Sequence, residues 1–235
     1  MSEFHDSKRK KFKNYSLRLF NKSEVKIETI IDIGVKTKTP SLINNFPNAF
    51  HYLVEPVKEF CDKIPDNYNS INYEIINKAA LDRTGIVTLG VRTTSHGNSI
   101  THSSVTTVNK PVEEQREIEA ITVDELVIKK GINPKHSILK IDVDGNDIEV
   151  LKGAATTLHD IAMLIVEVPV YDMLVMNSYL ANFPLFLWDI CDLTYYKEKL
   201  VQFDLTLLNK RYINTPSLNP WKDGSFNMSE WKIGV

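Results

Sequence analysis

Residues 137–158, SILKIDVDGNDIEVLKGAATTL, pass from strand through turn to helix in one continuous run. Ser137 to Val143 is mostly apolar and rich in β-branched residues, as expected of a strand buried on both faces. Gly145 turns the chain, and Ile148, Leu151, Ala155 and Leu158 then recur at helical spacing, which predicts one amphipathic helix. Asn146, with Glu149 at the position a capping box requires, supplies a start signal for it. A buried strand followed at once by a helix is the repeating unit of a parallel sheet covered on its faces.

Working outward, the same unit recurs. Thr29 to Val35 (TIIDIGV) reads as a first buried strand, and Phe50 to Glu55 (FHYLVE) as a second, stopped by Pro56. Val57, Phe60, Cys61 and Ile64 then make one helical stripe. A third strand is drawn through Tyr73 to Leu81, and Gly85 separates it from an extended piece at Ile86 to Val91. Arg92 to Val112 is rich in Ser, Thr, His and Asn without clear periodicity, so a long loop or irregular strands are expected there. Thr122 with Glu125 predicts a capped helix ending near Gly131. Downstream, Met163 to Val168 is a strand stopped by Pro169. Leu185 to Ile190 and Leu200 to Leu208 are the last two, with a short polar turn at Tyr195 to Lys199. This alternation predicts an α/β fold with helices on both faces of a parallel sheet, and the short final connection makes the last strand antiparallel.

At 235 residues, 43% hydrophobic and 25% charged, the chain has the balance of one ordinary globular domain rather than of a disordered or membrane protein. A net charge of -2 supplies no basic face for nucleic acid. Lys8, Arg9, Lys10, Lys11 and Lys13, with Arg18 and Lys22, read as a solvated basic extension. The expected division is therefore 1–24 as that extension, 25–211 as the Rossmann-like α/β domain, and 212–235 as a tail packing on it. Cys61 and Cys191 fit neither a paired-thiol nor a zinc motif, and no apolar stretch reaches the ~20 residues a span requires. A reducing, cytoplasmic setting is expected; oligomeric state is not legible.

In a doubly wound sheet, ligands bind outside the carboxyl ends of the strands, so the acidic strand endings carry most weight. Glu55 follows Gly34 by about 20 residues, the separation that sets a carboxylate on ribose hydroxyls in nucleotide-binding units. Asp142 and Asp144 either serve the reaction or end a strand and cap the next helix. Glu167 is either an acid or base at the site or an exposed strand end. Together Asp142, Asp144 and Glu167 offer oxygen ligands to a hard cation, but alternate strand residues face opposite ways, and no metal ligand is assigned. His96 and His102 in the polar loop are candidate general bases, with Asn98 and Ser99 as candidate substrate contacts; solvated loop residues are the plain alternative.

The run LKIDVDGNDIEVLKGA resembles the signature of the FkbM-type methyltransferases. Other segments fall in that family's order: IIDIG resembles its first cofactor motif, YLVEP its ribose-binding turn, and NKAALDRTGIVTL its adenine-side strand and hairpin. TVDEL, LIVEV and LVQFDLTLL resemble its later elements, so the resemblance runs from Thr29 to Lys210. It implies a Rossmann-like class I methyltransferase fold, a mostly parallel seven-stranded sheet whose last strand is antiparallel. It also implies S-adenosylmethionine as cofactor and methyl transfer to a hydroxyl of a sugar, glycan or natural product. By the same carry-over Asp32, Gly34, Val35, Thr37, Glu55, Pro56, Ala79, Ala80 and Leu81 contact the cofactor. Asp142 lies near its methionine portion, and Asp142, Asp144 and His96 are the catalytic candidates. One departure is Lys38, where the family commonly has a second glycine. Either the loop takes another conformation, or Lys36 or Lys38 pairs with the cofactor carboxylate, or cofactor affinity is lost. The competing readings are a non-catalytic relative and a dinucleotide-dependent oxidoreductase, the latter lacking a GxGxxG after the first strand.

Overall fold

The computed structural model describes residues 12–23, 25–93, 100–105 and 114–219, with the side chains of 93 and 100–105 excepted. The chain opens with α1 (Lys13–Phe20) and alternates β1 (Thr29–Ile33), α2 (Pro40–Asn45), β2 (Phe50–Val54), α3 (Lys58–Cys61) and β3 (Asn72–Ile76). Next come β4 (Ala79–Ala80), β5 (Gly85–Thr93), β6 (Ile100–Val105), β7 (Glu114–Ile121) and α4 (Val123–Lys130). The remainder runs β8 (Ser137–Ile141), α5 (Asp147–Lys152), α6 (Ala155–Asp160), β9 (Met163–Pro169), α7 (Met173–Leu180), β10 (Leu185–Tyr196) and β11 (Lys199–Asn209).

Among the described residues the main sheet has seven strands in the order β10-β11-β9-β8-β1-β2-β3. The pairs from β9 through β3 are parallel, while β11 runs antiparallel to both its neighbours. This is the expected α/β architecture, with the final strand reversed and inserted between β10 and β9. Alternate residues of the central strands feed two cores. Ile31, Leu139, Leu164 and Val166 pack with Leu126, Val150, Leu151, Leu158, Met176 and Leu180 of the α4–α7 layer. Ile30, Ile138 and Ile165 pack with Leu17 and Phe20 of α1 and Leu42 on α2. The near-continuous apolar reading of these strands follows from burial on both sides.

Four sequence expectations need correction. The third strand does not run from Tyr73 to Leu81: β3 stays in the main sheet, while Ala79 and Ala80 pair with β7 in a second sheet of order β4-β7-β5-β6. The chain changes sheet at Asn77, whose amide donates to the carbonyls of Glu55 and Pro56, and Lys78 N–H turns back to the Ile76 carbonyl. Second, the stretch expected as a loop or irregular strands is in part regular, paired strand. β6 pairs with β5, and β7 follows with Glu117 and Glu119 outward and Ala120 inward.

Third, the helix after the signature is two helices, broken at Gly153. A Cβ there would lie 2.0 Å from the Leu81 carbonyl oxygen, and the Gly153 carbonyl accepts the Asp124 N–H. Asp124 then caps α6 by accepting from the Thr156 and Thr157 amides. Fourth, the Asn146 side chain does not form the expected cap on α5; instead the Asp147 carboxylate accepts from the amides of Val143 and Gly145. The Thr122 cap and the left-handed stop at Gly131 occur as expected, with the Thr122 hydroxyl accepting the Glu125 amide. No helix among the described residues is long and apolar enough to cross a membrane. Gly153→Ala is expected to lower stability by about 1–3 kcal/mol through overpacking against Leu81. An unchanged urea midpoint would show that this close approach is not a constraint.

Candidate active site

The carboxyl ends of β1, β2 and β8 open on a cleft of about 520 Å³, a size suited to a small-molecule cofactor. Its floor is organised by Lys140, which is 2% exposed. The Lys140 ammonium donates to the Gly34 carbonyl at 2.9 Å and lies 3.2 Å from Asp32 Oδ1 and 3.3 Å from Asp142 Oδ2. Parallel register sets Asp32 level with Lys140, and Asp142 lies two residues on and therefore on the same face. Burial alone would lower the Lys140 pKa, but Asp32 and Asp142 outweigh it and hold the ammonium charged above its usual range. Gly34 has φ +77, and a Cβ there would fall 1.8 Å from the Asp142 carbonyl oxygen. The glycine is thus required by contact between the ends of β1 and β8 as well as by its left-handed backbone.

Glu55, at 3% exposure, closes β2. Its carboxylate accepts from Lys36 N–H at 2.7 Å and from Val57 N–H at 2.9 Å. Burial pushes its pKa up to about 7, against the downward pull of those two amides. Beyond it, Pro56, Phe60, Ala79, Ala80 and Leu89 give the cleft an apolar end. The loop after β1 forms the rim: Lys36 takes the left-handed conformation (φ 57), and Lys38 N–H closes a turn by donating to the Val35 carbonyl.

The opposite end is polar. Register pairs Ile141 with Val166, so Asp142 and Glu167 come next on neighbouring strands, and Glu167 is level with Asp204 of β11. These carboxylates share one sheet face. Burial and the charges of Asp142, Asp147, Asp204 and Asp144 raise the Glu167 pKa to about 8, and Gln202 donates to its carboxylate. Lys13 crosses from α1 to pair with Asp204 and with Asp192, 3.5 Å away, while its backbone N–H donates to Asp192. Lys13 is therefore not part of a solvated run: its side chain is 12% exposed, because Leu17 and Phe20 dock α1 in the core.

A family model described as the methyltransferase FkbM domain matches residues 32–182. The chain belongs to the FkbM methyltransferases. S-adenosylmethionine is the cofactor this membership brings with it, and the cleft fits such a group: an apolar end, a buried carboxylate beside it, and an acidic end for positive charge. A 51-residue stretch is 43% identical to the hexuronic acid methyltransferase AglP of Haloferax volcanii, covering 22% of this chain and 21% of that protein. The chain thus spans about a fifth of the length of the curated relative it matches. Its backbone is also similar to a precorrin-6y C5,15-methyltransferase from Geobacter metallireducens (TM-score 0.45, 11% identity, 83% of this chain and 86% of that one). An rRNA methylase from Streptococcus thermophilus is comparable (TM-score 0.43, 10% identity, 83% and 93%).

Of the residues singled out in this FkbM chain, Gly34, Val35, Glu55, Pro56, Ala79, Ala80, Asp142 and Asp144 line the cleft together. Asp32 does not line it; it lies fully buried beneath, against Lys140. Thr37 and Leu81 are also outside the lining: the Thr37 carbonyl accepts from the Asn67 amide, and Leu81 packs in the apolar cluster under the second sheet. His96, Asn98 and Ser99 lie outside the described residues, and of His102 only the backbone is described. Among the described residues no three His, Cys, Asp or Glu side chains are grouped to hold a metal ion. Sequence reasoning missed Lys13, Asn14 and Asp192, which line the polar end. Their one signal was the pair of acids, Asp189 and Asp192, in a largely apolar and aromatic strand.

Removing the ammonium in Lys140→Met leaves Asp32 buried without its cation and should cost about 3–5 kcal/mol. Adding Asp32→Asn should restore part of the loss. Equal stability of the single variant and the parent in urea would refute this account of the floor.

Proposed function

We propose that this chain is an S-adenosylmethionine-dependent O-methyltransferase acting on a hydroxyl of a sugar, glycan or natural product. One observation carries the reading: Gly34, Glu55 and Asp142, from three different strands, open on the same cleft. The name of the short Haloferax volcanii relative supports a sugar acceptor, and a formal net charge of -2 does not favour nucleic acid. We take 25–211 as the catalytic domain, with α1 contributing to its site from the preceding segment and 212–235 as a tail. The free thiols Cys61 and Cys191 are both buried, which suits a reducing cytoplasm.

The bound cofactor supplies an already activated methyl group. The residues then have to bind, align and exclude water. Glu55 accepts hydrogen bonds from the ribose hydroxyls, its two backbone amides having fixed both oxygens in advance. Ala79, Ala80, Phe60 and Leu89 cover the base. Asp142, tethered by Lys140, orients the acceptor hydroxyl, and Asp144 flanks it on the turn before α5. His96 is retained as a proton acceptor on sequence grounds alone.

Because ionised Glu55 is the form that accepts both hydroxyls, cofactor binding should tighten as pH rises through about 7. Binding below that pH releases a proton. In Glu55→Gln both the pH dependence and the proton release, read by calorimetry in buffers of differing ionisation enthalpy, should vanish; a pH-dependent Glu55→Gln variant would remove Glu55 from this role. Asp142→Asn should lower methyl transfer to hexuronic acids or other sugars by on the order of 100-fold while the protein stays folded. Binding of nicotinamide dinucleotide alone would replace the reading with an oxidoreductase, and binding of neither ligand with a non-catalytic relative.

A further inference from the structure

Four lysines line the cleft: Lys13, Lys36, Lys38 and Lys140. Three are already committed. Lys140 is surrounded by Asp32, Asp142 and two carbonyls, and Lys13 is held by Asp204 and Asp192. Lys36 directs its ammonium over the Phe60 ring, 5.8 Å from the centroid, at the apolar end of the cleft. The cleft is also lined by Glu55, Asp142, Asp144 and Asp192. S-adenosylmethionine brings a carboxylate as well as two cationic groups, and of these four lysines Lys13 and Lys140 are already matched by acids.

We propose that Lys38 is the carboxylate-binding residue of this cleft, its ammonium pairing with the carboxylate of the cofactor's methionine portion. This rests on the cofactor reading above. The backbone allows a lysine here because the left-handed step of the loop falls at Gly34 and Lys36, not at Lys38. On one side Lys38 is anchored by its N–H on the Val35 carbonyl. On the other, Thr39 N–H donates to the hydroxyl of Tyr68, a side chain with no exposure. Thr39 precedes Pro40 and is kept out of the helical region (φ -122, ψ 86), so α2 starts only after the chain has crossed the rim. The main chain at residue 38 is therefore fixed while its side chain remains exposed at the cleft mouth. A flexible ammonium on a rigid backbone can meet a carboxylate that enters the mouth of the cleft. The lysine in place of a second glycine thus acts as a charge-matching device rather than an obstruction.

The test is calorimetric binding of S-adenosylmethionine, its decarboxylated analogue and 5′-methylthioadenosine to the wild-type chain, Lys38→Met, Lys38→Arg and Lys36→Met. The wild-type chain should prefer S-adenosylmethionine over the decarboxylated analogue by ~10-fold, the scale of one charge-assisted contact. Lys38→Met should lose that preference while binding 5′-methylthioadenosine as before, and Lys38→Arg and Lys36→Met should keep it. A Lys38→Met variant that still discriminates would overturn the proposal, as would a wild-type chain that binds both cofactor forms equally. Failure of the wild-type chain to bind either S-adenosylmethionine or 5′-methylthioadenosine would instead remove the cofactor reading itself, and this proposal with it.

Discussion

The Lys140 ammonium, shut away from water between the ends of β1 and β8, is the charge around which the site is assembled. Taking an ammonium out of water costs several kcal/mol, repaid only if its donors are met. Here they are met from two strands at once, by Asp32 and the Ile33 and Gly34 carbonyls on β1 and its following turn, and by Asp142 beyond β8. The same cation therefore sets the direction of Asp142, the position of the Gly34 carbonyl, and through Gly34 the start of the rim loop. The glycine contact with the Asp142 carbonyl completes the arrangement from the steric side.

From that centre the cleft divides by charge. On the β2 side, Glu55 is buried with its oxygens oriented by backbone amides, next to apolar residues of the second sheet. On the β9 side, Asp142 at the cleft is followed across neighbouring strands by Glu167 and Asp204, and the charges of Asp142 and Asp204 raise the energetic cost of ionising Glu167. Lys13 relieves part of this repulsion from above. Its helix belongs to the same core as β1 and β8, so the N-terminal segment takes part in the site rather than merely preceding it.

The second sheet has a similar dual role. β4 is two residues long and pairs with β7, which presents Ala79 and Ala80 to the cleft while Leu81 is pressed against Gly153. The apolar end of the site and the break between α5 and α6 thus share one cause, the close approach of the 79–81 segment to the helical layer.

The sequence by itself determined the strand–helix alternation, the buried central strands and the Thr122 helix, because each is encoded locally by apolar periodicity, a capping side chain or a glycine stop. It also located Gly34, Glu55 and Asp142, since strand ends can be read from where an apolar run stops. It did not reveal the second sheet, because the short β4 carries almost no periodic signal, and pairing of β5 with β7 joins residues far apart in the chain. Nor did it show that Asp32 serves Lys140 rather than the cleft, or that Lys13 and Asp192 line the polar end. Those facts depend on strand register and on the docking of α1, non-local contacts in which a side chain's partner is decided only once the sheet has closed around it.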